Sequence, residues 1–455
     1  MAPPEAEKDE PLTPASRLFV MPEMNQIINC IIGFKRPIDV AAVTSIIENS
    51  AMVKLPRFSS LMVRDRHGRE YWRKTQLDIA RHIIVLEDPI GDIEAGEEAA
   101  NDYVADLSVS SELSTDKPLW EIHFLRAHNC AVFRAHHALG DGISLMSMFL
   151  ACFRTAEDPE RRQTLASSTA RRENWRAILW KIMKAAILTV VFAVEFMLRA
   201  LWVRDRSTAL SGGAGVELWP RKLATAKFRL DDMKSVKRAV AGATINDVLF
   251  GVISAGLSRY LDIRSPEAPP EGLRITGTAM VNLRKHPGMQ DLSDLMKRDS
   301  GVRWGNKFGM ILLPVYYHKG GDDPMQYVKR AKAMIDQKKL SLEAHFSYRI
   351  GYFVMSFFGP KLAWWLNYRV VCNTTFTISN VIGPQEEIVV AGNPVTYMRV
   401  NTTSLPHAIT MHMVSYAGRA DMQILVAKDI IDSRVLAKCF EDALLEMRRA
   451  AEGAT

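Results

Sequence analysis

Two adjacent histidines followed by an aspartate between glycines are the residues of this sequence best suited to proton transfer. His136 and His137 follow an apolar, strand-like run, and Asp141 lies four residues beyond the second histidine. A neutral imidazole, whose unperturbed pKa is about 6.5, can accept a proton from an alcohol near neutral pH. Gly140 and Gly142 allow the chain to turn sharply around Asp141, so that its carboxylate points away from the imidazole and toward a cationic partner.

A strand before this motif and a helix after it are predicted to hold the two histidines. Cys130 to Ala135 is an apolar run typical of a buried strand, and Glu121 to Ala127 is a second strand candidate. His128-Asn129 between them is compatible with a hairpin turn. Beyond the Gly-Asp-Gly turn, apolar residues recur at helical spacing, namely Leu145, Met148, Phe149 and Cys152. We therefore expect the histidine pair where a strand passes into a helix.

The HHxxxDG pattern of His136 to Gly142 and several further motifs resemble the wax ester synthase/diacylglycerol acyltransferases, in particular their plant-like branch. The HHxxxDG pattern alone is also typical of condensation domains of peptide synthetases. The other matching segments follow the order expected for the family and cover about nine-tenths of the chain: Pro11 to Pro14, Pro118 to Trp120, Asn246-Asp247, Asn282 to Arg284, Gly305 to Gly309 and Ser379 to Pro384.

This resemblance implies an α/β (α+β) fold of two chloramphenicol-acetyltransferase-like domains, which form a pseudo-dimer with a substrate tunnel at their interface. At 455 residues the chain is too long for one ordinary hydrophobic core, so two domains also agree with its length. We predict a disordered tail over 1–10 and an N-terminal domain over 11–160 that carries the histidines. A linker over 161–225 and a C-terminal domain over 226–455 complete the predicted organisation.

The resemblance places the general base on the second histidine of the pattern, His137. His136 either orients His137 or packs in the core. Asp141 is expected to organise the loop through an ion pair with Arg284 across the domain interface. The alternative is a catalytic triad in which Asp141 contacts His137 directly, and the flanking glycines, including Gly142, favour the ion pair.

Acyl transfer also needs a donor for the negative charge that develops on the carbonyl oxygen. The resemblance implies Asn246 for this role, with Asp247 beside it, because an amide at the first turn of a helix suits developing negative charge. The alternative is that both residues only cap the helix that follows Thr244. The resemblance also implies a set of tunnel-shaping residues, for which simple packing is the alternative role: Pro118, Leu119, Trp120, Ser379, Asn380, Gly383 and Pro384.

Metal, nucleotide and covalent-serine chemistry are not indicated by any motif. Adjacent strand histidines point to opposite faces and do not easily share one metal ion, and the sequence lacks a GxSxG elbow and a phosphate-binding glycine pattern. Acyl-CoA is expected as a substrate and CoA as a product, with no permanently bound cofactor. Asn306 and Gly309 are assigned a structural role. Four basic residues could meet the CoA phosphates or form an ordinary solvated face, namely Lys285, Lys297, Arg298 and Arg303.

A basic and apolar segment interrupts the alternation of strands and helices. The formal net charge is +7, and ten basic residues against three acidic ones lie between Arg161 and Arg206, which suits an anionic membrane surface. Within 178–203, the four charged residues fall on an arc of about 60° of a helix, and these are Lys181, Lys184, Glu195 and Arg199. We predict a monotopic helix in the membrane interface, with a helix packed inside the protein and a spanning helix as alternatives. Nucleic-acid binding is not indicated, because no aromatic ladder accompanies the charge.

The predicted reaction is transfer of a fatty acyl group from acyl-CoA to a long-chain alcohol by direct attack, with His137 removing the hydroxyl proton. The alternatives are diacylglycerol acylation to triacylglycerol, a condensation-type enzyme that uses a carrier-protein thioester, and a non-catalytic lipid-binding protein. Five scattered cysteines without a CxxC spacing predict reduced thiols in a cytosol-facing protein. The expected location is the cytosolic face of the endoplasmic reticulum, with lipid droplets or the plasma membrane as alternatives. Oligomeric state and chain-length preference are not indicated.

Overall fold

The fold is built around two mixed β-sheets, each packed against helices. The computed structural model describes residues 9–92, 96–155, 175–265, 267, 269–284, 292–296, 304–320 and 323–453. The strands, numbered in chain order, are β1 (Glu10–Pro11), β2 (Ile27–Phe34), β3 (Ser60–Arg64), β4 (Glu70–Lys74), β5 (Ile83–Leu86), β6 (Trp120–Leu125), β7 (Cys130–His136), β8 (Arg154–Thr155), β9 (Arg221–Arg229), β10 (Arg274–Asn282), β11 (Phe308–Tyr316), β12 (Phe376–Ile382), β13 (Ile388–Val390), β14 (Asn393–Thr402), β15 (Ile409–Tyr416) and β16 (Arg419–Ala427). The helices are α1 (Pro14–Phe19), α2 (Val40–Asn49), α3 (Ala51–Lys54), α4 (Glu97–Ser110), α5 (Gly142–Cys152), α6 (Trp175–Leu201), α7 (Leu230–Arg238), α8 (Ile245–Arg264), α9 (Leu292–Met296), α10 (Pro324–Leu340), α11 (Glu343–Phe357), α12 (Pro360–Cys372) and α13 (Ser433–Gly453).

The first sheet contains the strand that ends at the histidine pair. Its spatial order is β5-β6-β7-β2-β14-β13-β8, so β7 lies inside the sheet between β6 and β2. β6 and β7 form the predicted hairpin, and Asn129 in its turn adopts a left-handed conformation (φ 47°) that asparagine tolerates. Every residue of β2 is buried. The histidine pair therefore follows a strand that is fixed by pairing on both sides.

Part of the C-terminal half belongs to this first sheet. β14 pairs antiparallel with β2, with Met398 opposite Ile32, and β13 pairs with β14 and with β8. The structure differs here from the predicted C-terminal domain over 226–455, because residues 388–402 satisfy the free edge of β2 before the chain returns to the second sheet. Two strands of the C-terminal half, β13 and β14, thus belong to the first sheet and join the two halves.

The second sheet collects the remaining strands of the C-terminal half in the order β11-β10-β12-β15-β16-β9. β9 begins at Arg221 and so takes up the end of the predicted linker over 161–225. β12 and β15 run parallel in a register that places Ser379 opposite His412. Met411 and Met413 belong to the hydrophobic core of this half, so the alternate residue His412 faces the first half.

The start of the chain also differs from its predicted form. Residues 1–8 of the predicted tail over 1–10 lie outside the described residues, whereas Glu10 pairs with Trp72 in a three-stranded sheet of order β1-β4-β3. This small sheet leads directly into α1. The chain therefore enters the fold at Glu10, just before the Pro11 to Pro14 segment.

The predicted apolar helix is present as α6, which has 27 residues. Near its end Arg199 is 3% exposed, and its guanidinium binds Oε1 of Glu195 (3.1 Å), Oδ1 of Asp205 (3.0 Å) and Oγ1 of Thr276 (2.7 Å). This end of the charged arc therefore packs against protein. In the part of the chain that the structure describes, no helix combines the length and the apolar character needed to cross a membrane.

Candidate active site

The loop between β7 and α5 carries the candidate catalytic residues. Asp141 is the N-cap of α5, and its Oδ1 accepts a hydrogen bond from the backbone N–H of Ser144 (3.0 Å). A Cβ on Gly142 would lie 3.1 Å from Cγ2 of Val381, so glycine lets the start of α5 approach β12 closely. The end of the loop is therefore fixed by a cap and by contact with the other half.

The His137 imidazole is held by an amide and by two aromatic rings. Its Nδ1 lies 3.1 Å from Oδ1 of Asn306, whose Nδ2 donates to the backbone carbonyl of His137 (2.8 Å). Because that second bond fixes the amide, Nδ1 of His137 donates to Oδ1, which leaves Nε2 as the basic nitrogen. The Phe19 ring stacks on the imidazole (centroids 4.1 Å apart), and Phe308 meets it edge-on (5.8 Å). Burial lowers the pKa of His137 below its usual 6.5, so the ring is neutral near pH 7.

The Pro11 to Pro14 segment explains how the first of these aromatic rings is placed. Thr13 caps α1 by accepting a hydrogen bond from the N–H of Ser16 (3.2 Å). The Oγ of Ser16 then donates to the carbonyl of Ala138 (3.0 Å), one residue after the base. The same short helix ends at Phe19, which stacks on His137. This segment therefore contacts the histidine loop through one hydrogen bond and one stacked ring.

His136 contacts a different set of residues. Its Nε2 lies 2.9 Å from Oδ1 of Asn25, and its Nδ1 accepts a hydrogen bond from the N–H of Ala138 (3.1 Å). Burial lowers the pKa of His136 to about 3, so the ring is neutral and donates from Nε2. With both nitrogens occupied, the geometry favours the organising alternative for His136 over a catalytic one.

The ion pair expected between Asp141 and Arg284 is present and buried. Nη1 of Arg284 lies 2.7 Å from Oδ2 of Asp141, and the side chains are 0% and 8% exposed. Nη2 of Arg284 donates to Oγ of Ser144 (3.0 Å) and to the carbonyl of Gly305 (2.7 Å), and Oδ2 of Asp141 also accepts from the N–H of Lys307 (3.0 Å). Asp141 therefore joins the histidine loop to the ends of β10 and β11 in the other half.

A cavity of about 700 Å³ lies between the two halves beside His137. Its volume falls within the range of about 300–1,000 Å³ that is usual for small-molecule sites. Polar groups on its wall come from both halves, among them His137 and Asp141 from the first, and Ser379, Asn380 and His412 from the second. Much of the remaining wall is apolar and is formed by α1, α6, α11 and α12 through Leu18, Phe19, Phe196, Met197, Tyr348, Tyr352, Met355 and Leu366.

The structure divides the predicted tunnel residues into two groups. Ser379 and Asn380 line the cavity. Gly383 and Pro384 lie beyond it, where the N–H of Gly383 donates to Oγ of Ser415 (3.2 Å) and the carbonyl of Pro384 accepts from the N–H of Ala417 (3.1 Å). These two residues turn the chain out of β12, so the structure favours the packing alternative for them.

The Pro118 to Trp120 segment is also displaced from the cavity. Trp120 is fully buried in the core of the first half, where its Nε1 donates to the carbonyl of Phe58 (2.9 Å) and its ring stacks on His82 (4.0 Å). The carbonyl of Leu119 accepts a hydrogen bond from the N–H of His136 (2.9 Å). The segment is thus bonded to the end of β7 through the core of the first half, and it does not line the cavity.

Asn246 and Asp247 occupy the first turn of α8, as the sequence predicts. Oδ2 of Asp247 accepts from the N–H of Thr244 (2.6 Å), which completes a capping box with the Thr244 hydroxyl. Asn246 is exposed and lies outside the cavity lining, and its Oδ1 accepts a hydrogen bond from Nδ2 of Asn380 (2.8 Å). The structure therefore favours the capping alternative for Asp247 and places Asn380, not Asn246, at the cavity wall.

Two residues of this site were not recognised as functional from the sequence. Asn306, assigned a structural role, fixes the tautomer of His137. His412 was not singled out, although a lone histidine in the apolar strand Ile409–Tyr416 was a usable signal. Burial lowers the pKa of His412 to about 4, and its imidazole has no hydrogen-bond partner among the described residues. A neutral imidazole on the cavity wall is therefore available to a bound substrate.

The candidate CoA-binding residues cannot be placed against this site. Lys285, Lys297, Arg298 and Arg303 all lie outside the described residues. In the part of the chain that is described, no group of three or more histidine, cysteine or acidic residues could hold a metal ion.

The pH dependence of activity should report the contact between His137 and Asn306. In the parent protein the acid limb of kcat/KM should have its midpoint below pH 6.5, because burial lowers the pKa of His137 and only the neutral ring accepts a proton. Asn306→Asp places a carboxylate beside Nδ1, which stabilises the imidazolium and should move this limb to higher pH. The profile is measured as initial rates of ester formation between pH 5 and 8.

The matched control for this profile is Asn246→Asp, which adds the same carboxylate at an exposed position outside the cavity. The other titratable groups that line the cavity include Asp141, His412, Lys307, Tyr348 and Tyr352, and none of them is altered in these variants. Identical profiles for the parent and Asn306→Asp would contradict the assignment of His137 as the group that controls the acid limb.

Two models of protein families match this chain. Residues 32–249 match the wax ester synthase/diacylglycerol acyltransferase catalytic domain, and residues 304–448 match the WS/DGAT C-terminal domain. The chain is 37% identical to wax ester synthase/diacylglycerol acyltransferase 11 of Arabidopsis thaliana, over 94% of this chain and 92% of the relative. It is 34% identical to wax ester synthase/diacylglycerol acyltransferase 6 of the same plant, over 98% of this chain and 95% of that relative.

Solved structures show the same fold. The wax ester synthase/diacylglycerol acyltransferase from Marinobacter aquaeolei VT8 is 18% identical, covers 97% of this chain and 100% of its own, and superposes with a TM-score of 0.60. The predicted two-domain α/β class is thereby confirmed. On the identity and coverage of its plant relatives, the chain belongs to the wax ester synthase/diacylglycerol acyltransferase family, a family of acyl-CoA-dependent O-acyltransferases.

Proposed function

We propose that this protein is a wax ester synthase that transfers a fatty acyl group from acyl-CoA to a long-chain alcohol. The observation that carries the mechanism is the geometry of His137, whose Nδ1 is committed to Asn306 while Nε2 remains free on the wall of a largely apolar cavity. A neutral base at that position suits an alcohol held with its hydroxyl near the imidazole and its chain along the apolar wall.

In the proposed reaction, the alcohol oxygen attacks the thioester carbonyl as Nε2 of His137 removes the hydroxyl proton. A C–O bond forms, the C–S bond breaks, and the imidazolium returns its proton to the CoA sulfur, so that free CoA leaves. Ser379 and His412, directly opposite one another on β12 and β15, are the donors that would face the carbonyl oxygen. CoA takes part as a substrate and product only.

A membrane location is part of the same proposal, because both lipid substrates partition into membranes. On α6 the side chains of Glu195 and Arg199 are turned into the protein, and apolar side chains are exposed elsewhere along the helix: Ile182, Ile187, Val190, Val191 and Val194. Such a helix suits the interface of a bilayer, and we place it on the cytosolic face of the endoplasmic reticulum. The protein should stay with the membranes on carbonate extraction, and release into the soluble fraction would contradict the anchor.

The acceptor is tested with purified protein in lipid, labelled palmitoyl-CoA, and hexadecanol or diacylglycerol offered separately. Wax ester should be the main product, and its rate of formation should fall about 100-fold or more in His137→Ala. Triacylglycerol as the main product would keep the mechanism and replace the proposed acceptor. No product from either acceptor, with lipid binding unchanged in His137→Ala, would favour a non-catalytic lipid-binding protein.

A further inference from the structure

The inner face of the helical hairpin formed by α11 and α12 is part of the cavity wall. Tyr348, Tyr352 and Met355 of α11 and Leu366 of α12 line the cavity that contains His137. α11 lies close to β11 at Gly309, where a Cβ would be only 1.9 Å from the carbonyl oxygen of Ala344. Glycine at this position therefore permits the close approach. The hairpin therefore forms part of the wall of the candidate active site.

The outer face of the same hairpin is aromatic and exposed. Phe353 is 46% exposed and Phe357 is 74% exposed, and their rings meet in a tilted arrangement with centroids 4.6 Å apart. Phe358, at the tip, is 61% exposed, and Trp365 on α12 is 40% exposed. Exposed apolar patches this rich in aromatic side chains are typical of interaction sites.

α6 continues this surface alongside the hairpin. Phe196 and Met197 of α6 line the same cavity as α11, and Met197 is itself 44% exposed. Tyr352 on α11 likewise lines the cavity and is 53% exposed. These two residues both line the cavity and are exposed, which makes the boundary between α6 and α11 the candidate mouth of the cavity.

The charges around this face distinguish a membrane from other partners. Glu343 is the only acidic residue of the hairpin, and it is buried against Lys338 at 2.8 Å. Arg349 and Lys361, by contrast, are exposed on α11 and α12. An apolar, aromatic centre with basic residues at its edge is complementary to a lipid leaflet that carries anionic headgroups.

We propose that the α11–α12 hairpin and α6 form one membrane-embedded face, and that the long-chain acceptor passes from the leaflet through the mouth between α6 and α11 to His137. This inference rests on the proposed wax ester synthesis and adds the route of the acceptor. The acceptor then reaches the base without crossing water.

The route is tested by comparing one acceptor in a bilayer with one in water. The variant Phe357→Ser/Phe358→Ser removes two exposed rings from the hairpin tip, outside the cavity lining, and the control Leu445→Ser removes an exposed apolar side chain on α13. Each protein receives palmitoyl-CoA with either hexadecanol in phosphatidylcholine/phosphatidylserine vesicles or dissolved hexanol. The hairpin variant should lose about tenfold or more in kcat/KM for vesicle hexadecanol, because each ring contributes to insertion.

With dissolved hexanol, the hairpin variant should retain the parent rate, and Leu445→Ser should match the parent with both acceptors. An equal loss with both acceptors would overturn the route, since it would show damage to the catalytic site itself. No loss with either acceptor would overturn it as well. Failure of the parent to acylate any alcohol would instead refute the proposed function, which keeps the two failures distinguishable.

Discussion

Replacement of His137 by alanine should lower kcat for ester formation by about 10²–10⁴-fold, the range usually contributed by a general base. The imidazole is neutral, Asn306 sets its tautomer so that Nε2 is the basic nitrogen, and His137 lines the cavity. KM for palmitoyl-CoA should change far less, because the base acts on the transition state and not on acyl-CoA binding. Initial rates with labelled palmitoyl-CoA and hexadecanol measure both constants.

His67→Ala is the matched control for this variant, because His67 is exposed in the turn between β3 and β4 and does not line the cavity. It should retain the parent rate. Added imidazole should restore part of the activity of His137→Ala, since the substitution leaves space beside the cavity for a free base. A His137→Ala protein with the parent kcat and an unchanged melting temperature would refute the general-base assignment.

The chemistry of the histidine loop was predictable because it depends on local spacing. An apolar strand followed by a Gly-Asp-Gly turn specifies where His137 and Asp141 lie, and the capping residue Thr244 specifies the start of α8. The pairing of Asp141 with Arg284 came from the family resemblance, and the structure contains it. Local patterns and family motifs therefore sufficed for the loop and for its partner across the interface.

The lining of the cavity was less predictable, because it depends on which face of a strand meets the other half. Trp120 and Ser379 lie in motifs of equal apparent weight, yet Trp120 points into a core and Ser379 into the cavity. Alternation tells which residues share a face but does not tell which face is the interface. For the same reason the sequence does not show that His412 faces the cavity. Its pairing opposite Ser379 in the structure places it there.

The exchange of β13 and β14 into the first sheet is a second feature beyond sequence patterns. β14 pairs with β2, which lies more than 350 residues earlier in the chain, in the register Val400 to Cys30. Its alternating residues would suit an edge of either sheet. Long-range pairing of this kind is decided by which strand edge remains free once the local hairpins have formed.

Loss of the buried carboxylate in Asp141→Ala should lower the free energy of unfolding by about 3–5 kcal/mol, because the buried Arg284 charge then loses this ion pair. The substitution also removes the cap of α5 and the acceptor for the N–H of Lys307. Activity should fall with stability, since the loop that carries His137 is no longer tied to the other half. Urea unfolding followed by tryptophan fluorescence measures the change.

A double-mutant cycle separates the ion pair from these other contacts. Asp141→Asn and Arg284→Met each remove one charge of the buried pair, and the double variant removes both, so it should lose about 1–3 kcal/mol less than the sum of the single losses. The exposed pair of Arg434 and Glu98, with side chains 70% and 58% exposed, is the control, and its coupling should stay below about 1 kcal/mol. If the cycle at Asp141 and Arg284 were additive within about 0.5 kcal/mol, these two residues would not act as a pair. The histidine loop would then be held by its other contacts, such as those with Ser16 and Asn306.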